Sequence, residues 1–274
     1  MSNFFSSDKL IFICGPCVIE EEEVVRNIAQ TLKKTASLFD ISLVFKASFD
    51  KANRSSLSSY RGPGLEKGLK ILASIKKDYG LMVTSDVHTP QMIAPCAEVL
   101  DVLQIPAFLA RQTDLYIEAA KSKRPINVKK GQFMAPEEMR FAIEKFRQSG
   151  GDEIAITERG SFFGYGNLVV DFRSISIIKE MGVPYIYDAS HSLQKPAAGD
   201  GVSKGDRKFI EGLARAQIAA GADGIFLEAH SNPKQAKSDR ETQYPLEEVN
   251  GLIERLLPFY EQNKKVPIKK IESL

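Results

Sequence analysis

Short, β-prone apolar runs recur along the whole chain: LIFIC (10–14), SLVFK (42–46), LMVTSD (81–86), LDVLQI (100–105), PINVK (125–129), EIAIT (153–157), VPYIYD (183–188) and GIFLE (224–228). Their length suits strands, and their near-continuous hydrophobicity suits strands buried on both faces, as in a parallel sheet. Most are followed by a stretch whose apolar positions return every three or four residues, the spacing of one helix face. After the first run, Val24, Val25, Ile28, Leu32 and Ala36 keep that spacing behind an acidic first turn, Glu20 to Glu23, which complements the helix dipole. GLEKGLKILASIKKDYG, TDLYIEAAKSK, APEEMRFAIEKFRQSGG and PLEEVNGLIERLLPFY repeat the pattern. Strand then helix, eight times, predicts a (β/α)8 barrel of the TIM type. A doubly wound open sheet fits the same alternation, because periodicity does not reveal strand order. No change of composition or Gly/Ser/Pro-rich linker divides the chain. A single domain over residues 1–274 is therefore expected, with the barrel proper over about 10–262.

Composition narrows the function classes. Hydrophobic residues make up 43% of the chain, enough for a large core. The 37 basic and 35 acidic residues are well mixed and leave a net charge of only +2, so no field for nucleic acid or an anionic membrane is expected. The N-terminal MSNFFSSDKL lacks the basic and apolar regions of a signal peptide, and no run approaches the roughly 18 apolar residues of a membrane span. A cytoplasmic location is the expectation. Three cysteines, an odd number, argue against a disulfide framework. Cys14 and Cys17 flank Gly-Pro between a strand and a helix, which also fits a thioredoxin-like dithiol. P-loop, G-x-S-x-G and G-x-G-x-x-G patterns are absent, which removes support for P-loop hydrolases, serine hydrolases and simple dinucleotide oxidoreductases.

In a barrel of buried strands, ionisable groups gather where strands end and βα-loops begin. Here the ends offer Cys17, Lys46, Asp86, Gln104, Lys129, Arg159, Asp188 with His191, and Glu228, so every strand contributes a reactive or binding group. Taken singly, a strand-end lysine is often just a solvated charge. Four cations near one rim, Lys46, Lys51, Lys129 and Arg159, favour an anionic ligand, since bonds to phosphate or carboxylate offset their mutual repulsion. The second loop, KASFDKANRSSLSSYRGPG, adds Asn53, Arg54, Ser55, Ser56 and Arg61, side chains suited to phosphate, although RGPG also reads as a plain turn with Arg61 on the surface. Cys17, His191, Glu228 and Asp239 supply thiolate, imidazole and carboxylates for a metal; they are dispersed along the chain, each has a structural alternative, and His88 and His230 compete as ligands.

Taken together, GPCVIE, FKASFDKANRSS, QIPAFLARQTDL, NVKKGQF, TERG…FGYGNLVVDFRS, YDASHSLQ and FLEAHSNP…SD resemble the 3-deoxy-D-manno-octulosonate 8-phosphate synthases, in that family's order and from about residue 11 to 260. The resemblance implies a (β/α)8 barrel, usually a homotetramer, that condenses phosphoenolpyruvate with D-arabinose 5-phosphate and water for lipopolysaccharide (Kdo) assembly. The sister family makes the heptulosonate 7-phosphate from erythrose 4-phosphate, and KANRSS in place of a KPRTS-like segment favours the octulosonate side. Position by position, the resemblance gives Lys46, Lys51, Gln104, Lys129 and Arg159 to phosphoenolpyruvate, with Pro106 and Ala107 shaping its pocket. It gives Asn53, Arg54, Ser55 and Asp86 to arabinose 5-phosphate, with Arg111 reaching a neighbouring subunit's substrate, so that sites are completed across subunits. Family members with asparagine at the position of Cys17 work without metal, whereas those with cysteine need a divalent ion such as iron, zinc or manganese. Cys17, His191, Glu228 and Asp239 are then the expected ligands, and His191, Asp239 and Lys51 the candidates for proton transfer.

Overall fold

The computed structural model describes residues 4–6, 8–54, 56–164, 166–195 and 204–266. Eight parallel strands follow the predicted runs closely: β1 Leu10–Gly15, β2 Ile41–Lys46, β3 Met82–Asp86, β4 Val102–Ile105, β5 Ile126–Lys129, β6 Ile154–Glu158, β7 Tyr185–Asp188 and β8 Gly224–His230. Each pairs with the next, and β8 pairs back onto β1 with Gly15 opposite Glu228. That last pairing closes the barrel and removes the open-sheet alternative.

Eight helices alternate with the strands: α1 Glu22–Leu38, α2 Leu65–Tyr79, α3 Pro90–Val99, α4 Thr113–Lys121, α5 Met139–Gln148, α6 Arg173–Glu180, α7 Ile210–Ala219 and α8 Val249–Lys265. On α1 the buried positions are Val25, Ile28, Ala29, Leu32 and Thr35, the stripe expected from the periodicity. Such stripes pack on the outward faces of the strands and form the larger of two apolar clusters. None of the helices among the described residues is long and apolar enough to cross a membrane.

The smaller cluster fills the lower barrel interior with Ile11, Ile13, Val44, Val102, Ala155, Ile186 and Phe226. A short 3-10 turn, Phe4–Ser6, inserts Phe5 beneath them, and the Phe5 N–H donates to Glu153 Oε2 at 3.1 Å. Nothing in the pattern of MSNFFSS announces this plug, because one turn carries no period.

At the upper end the loops are elaborated. Ser161–Phe162 pairs with Leu168–Val169, Gln194–Lys195 pairs with Lys204–Gly205, and Tyr244–Pro245 runs beside β8. Where β1 ends, Gly15 passes so close to β2 that a Cβ would stand 2.2 Å from the Lys46 carbonyl oxygen. Only glycine permits that approach, and it brings the Cys17 carbonyl within 2.9 Å of Lys46 Nζ.

Candidate active site and metal centre

Side chains alternate along a strand, so an inward residue near the bottom implies inward residues two and four places on. On β8 this carries the interior from Phe226 to Glu228, and on β3 from Thr84 to Asp86. Lys46, Gln104, Lys129 and Asp188 reach the same level at the ends of β2, β4, β5 and β7. They lie under a cavity of about 350 Å³ that Lys46, Lys51, Lys129 and Arg159 all line. The four cations expected from the strand ends therefore converge. Gln104, Pro106, Ala107, Asn53, Asp86 and His191 line the same cavity.

Two of the buried cations have a close counter-charge, and two are less committed. Lys46 Nζ, 1% exposed, donates to Glu228 Oε1 at 2.9 Å. Lys129 Nζ donates to Asp188 Oδ2 at 2.5 Å and sits 3.0 Å from the centre of the Phe226 ring. Burial still dominates at Lys129 and pushes its pKa down to about 8, with Asp188 pulling in the other direction. Lys51 is the opposite case. Burial opposes its charge, but the Glu228 and Asp86 carboxylates outweigh burial and raise its pKa. Its Nζ stands 3.7 Å from Glu228 Oε1 and 3.9 Å from Asp86 Oδ2, beyond hydrogen-bond length. Arg159 donates through Nη2 to Gln194 Oε1 at 2.7 Å, while its buried Nη1 has no partner. Lys51 and Arg159 are thus the cations least committed to carboxylate partners and freest to meet an incoming anion.

Beside these cations lies the candidate metal centre. Ligand atoms of Cys17, Glu228 and Asp239 fall within 4.8 Å of one another. Cys17 Sγ is 3.0 Å from Asp239 Oδ2 and 2.9 Å from Ser238 Oγ. His191 Nε2 faces the group at 3.3 Å from Glu228 Oε1 and 4.0 Å from Asp239 Oδ2, while its Nδ1 meets Asp188 Oδ2 at 2.8 Å. That second bond fixes the ring, as the outer partner of a metal-bound histidine does. Asp239 has a left-handed backbone, φ 48°, a conformation aspartate tolerates better than most residues. Its two carboxylate oxygens are held by different neighbours, Oδ1 by Gln194 Nε2 at 2.9 Å and Oδ2 by the thiol.

The donor set fits a divalent ion. Glu228 Oε2 is buried without a hydrogen-bond partner, an arrangement that costs free energy unless something occupies it. Burial, then Asp239 and Glu228, hold the Cys17 thiol pKa well above its usual value, so without a cation the sulfur stays protonated beside two carboxylates. Burial disfavours charge on Glu228 too, yet His191, Lys46 and Lys51 keep it ionised. A divalent cation would take the place of the thiol proton and the empty carboxylate contact together.

The acceptor-side expectations divide. Asp86 lies on the cavity wall, where burial is outweighed by Lys46 and Lys51 and its carboxyl stays well below the usual range. Asn53 is at the mouth. Arg54 is not on the wall: its Nε donates to the Tyr60 carbonyl at 3.2 Å, and its buried Nη2 has no partner. Ser55 lies outside the described residues. Arg111 is exposed just before α4 and lines no part of the cavity. Arg61 forms an exposed two-pronged pair with Asp50, at 2.8 and 2.6 Å, and is a surface residue.

The competing histidines separate. His88 lines the cavity. His230 stands with Nε2 3.6 Å from Glu20 Oε2 and accepts the Asn232 N–H at Nδ1, outside the thiol–carboxylate group. All three cysteines are free and buried. Cys14 packs outward against the helices with its pKa raised by burial, so it is neither a dithiol partner nor a ligand.

Sequence reasoning assigned no role to several neighbours of the site. Asp188 stood out as a strand-end charge and proves to clamp both Lys129 and His191. Gln194, which bridges Arg159 and Asp239, carried no signal, and neither did Ser48 and Ser238, since isolated neutral side chains in loops are common. His88 stood out only as a competing metal ligand.

The chain matches the family model described as the DAHP synthetase I family over residues 6–257. It is 51% identical over 252 residues to the 2-dehydro-3-deoxyphosphooctonate aldolase of Desulfotalea psychrophila, covering 92% of this chain and 90% of that protein. Proteins of the same name from Desulfatibacillum aliphaticivorans and Syntrophobacter fumaroxidans are 50% and 48% identical, over 90% and 93% of this chain and 91% and 88% of their own.

Proposed function

The chain belongs to the DAHP synthetase I family, and from that membership, its relatives and the geometry of the rim we propose how it works. It is an enzyme that condenses phosphoenolpyruvate with D-arabinose 5-phosphate and water, giving 3-deoxy-D-manno-octulosonate 8-phosphate and inorganic phosphate. The observation that carries the reading is the meeting, around one cavity, of four cations from three different βα units beside a thiol–carboxylate–imidazole cluster. Heptulosonate synthesis from erythrose 4-phosphate is the less supported alternative, since the relatives above are all named for the octulosonate.

Phosphoenolpyruvate lies among Lys46, Lys51, Lys129 and Arg159, whose charges balance its phosphate and carboxylate, with Gln104, Pro106 and Ala107 setting its orientation. Arabinose 5-phosphate enters above Asp86 and Asn53, and Arg54 and Ser55 are the further residues proposed to bind it. Holding C3 of the enol over the aldehyde carbon turns an encounter of two solutes into a positioned reaction. As the carbon–carbon bond forms, positive character develops at C2. Water adds there, and the resulting hemiketal phosphate loses phosphate by C–O cleavage. Lys51, kept protonated, donates toward the developing alkoxide. Asp239 and His191 are the candidates to take the proton of the attacking water, His191 only while its Nε2 holds no ion.

Cys17, His191, Glu228 and Asp239 would hold a divalent ion of the iron, zinc or manganese kind, a set of soft and borderline donors that these metals share. Bound there, the ion supplies Lewis acidity for water or for the aldehyde. This reading puts the chain in the metal-dependent branch. Six phenylalanines on the loops after β4 to β6 and on the flanks of α5 and α6, namely Phe108, Phe133, Phe141, Phe162, Phe163 and Phe172, are 39–84% exposed. So many exposed phenylalanines favour burial against further copies of the chain, and we read the assembly as a homotetramer with Arg111 completing a neighbour's site. The whole chain acts as one barrel domain in the cytoplasm.

Phosphate release measured with each aldose phosphate tests the reaction: arabinose 5-phosphate should support turnover and erythrose 4-phosphate little. A preference for the latter would overturn the assignment. Chelation with verified metal loss should abolish turnover, and Cys17→Asn should restore partial, chelator-insensitive activity. Full activity of the stripped wild type would remove the metal from the account.

A further inference from the structure

Beneath the cavity runs a chain of hydrogen bonds that crosses the barrel interior from strand to strand. Thr157 Oγ1 on β6 donates to Asn127 Oδ1 on β5 at 2.6 Å. Asn127 Nδ2 donates to Gln104 Oε1 on β4 at 2.9 Å, and Gln104 Nε2 donates to Asp86 Oδ1 on β3 at 2.7 Å. From the other side, Ser48 Oγ donates to Asp86 Oδ2 at 2.5 Å. Thr157, Asn127 and Ser48 are fully buried, and Thr157 and Asn127 do not line the cavity.

The chain has a direction. An amide can be turned end for end, and two amides in series can be turned together. Reversal here would aim Gln104 Oε1 at the Asp86 carboxylate, oxygen against anion. Asp86 therefore selects the orientation in which Gln104 offers its NH2 group. At the far end, the Thr157 hydroxyl supplies the one proton that the Asn127 oxygen needs, and without it that oxygen would be a buried, unpaired acceptor. A carboxylate has about four acceptor directions. Gln104 and Ser48 fill one on each oxygen, which leaves the remaining lone pairs of Asp86 facing the cavity for hydroxyl donors.

We propose that Thr157 and Asn127 are positioning residues for the sugar acceptor: through Gln104 they fix Asp86 as a pure hydrogen-bond acceptor aimed at the hydroxyls of the polyol phosphate. The inference rests on the acceptor role of Asp86 given above. It assigns a substrate-specific effect to two residues that touch no substrate.

The test is steady-state kinetics on Thr157→Val, which keeps the side-chain shape and removes the hydroxyl, beside Thr157→Ser, which keeps the hydroxyl. Thr157→Val should raise the KM for arabinose 5-phosphate about tenfold and that for phosphoenolpyruvate, which meets Gln104 as well, by no more than about threefold, and Thr157→Ser should match the wild type in both. A merely structural residue would lower the active fraction without separating the two constants. Should Thr157→Val not fold, Asn127→Asp serves the same purpose, because an ionised carboxylate has no donor for Gln104 Oε1, and the same aldose-specific rise is expected. Unchanged constants, or an equal rise in both, would overturn the inference. Absence of aldose-dependent phosphate release in the wild type would instead defeat the functional reading beneath it.

Discussion

The lower and upper halves of the barrel interior share eight strands and almost no chemistry. Below, Phe5, Ile11, Ile13, Val44, Val102, Ala155 and Ile186 form an apolar plug, and each large side chain taken out of water stabilises the fold by about 1.5–3 kcal/mol. Above Phe226, the same strands present Lys46, Asp86, Gln104, Asn127, Lys129, Thr157, Asp188 and Glu228, all under a tenth exposed. Withdrawing such charges from water costs several kcal/mol per ion, and pairing only partly repays it. A barrel optimised for stability would continue the plug upward. The change of material at one level marks where the fold gives up stability for a ligand that carries the missing charges.

Breaking one charge in the upper half should have the largest effect. Glu228→Ala leaves the buried Lys46 without its ion-pair partner and removes the carboxylate common to Lys46, Lys51 and His191. Loss of detectable turnover together with about 3–5 kcal/mol of stability is expected, read by phosphate release and by urea unfolding. In the lower half, Ile186→Ala should cost about 2–5 kcal/mol by cavity formation. Both KM values should stay within twofold of wild type, because the plug touches no substrate.

The smallest effect is one of pH. Lys129, with its pKa lowered to about 8 from an ordinary 10.5, loses its proton over that window in the folded chain while the unfolded chain still holds one. Its own contribution to stability therefore rises with pH there, since the unfolded state binds more protons. Phosphoenolpyruvate capture should move the other way. In the free enzyme, kcat/KM for phosphoenolpyruvate should fall above about pH 8, approaching tenfold per unit. A profile flat to pH 9.5 would remove Lys129 from the anion site.

The two halves also differed in how far the sequence disclosed them. All eight strands were readable because parallel strands buried on both faces become short apolar runs, and the strand-end charges stood out against those runs. The closing pair of β1 with β8 was not readable, since it joins residues more than two hundred positions apart. Nor was the Phe5 plug, a single turn without a period. In the upper half, Lys46, Lys129 and Glu228 were legible because a charge at the end of an apolar strand is anomalous. Asn127 and Thr157 were not, because one neutral polar side chain within a strand is ordinary and acquires meaning only from the neighbour it faces across the barrel. Likewise Arg54 and Arg61 looked equally suited to phosphate, and only geometry separates a half-buried guanidinium with an unpaired nitrogen from one committed to Asp50 on the surface.

The claim that the upper half is charged for chemistry rather than for stability is tested most directly by Lys46→Met combined with Glu228→Leu, followed by both unfolding and turnover. Replacing a buried ion pair by apolar groups of similar size is often neutral or stabilising by about 1–4 kcal/mol. The expected result is a protein at least as stable as the wild type that releases no phosphate from phosphoenolpyruvate and arabinose 5-phosphate. A double variant that is several kcal/mol less stable, or one that still turns over, would contradict it.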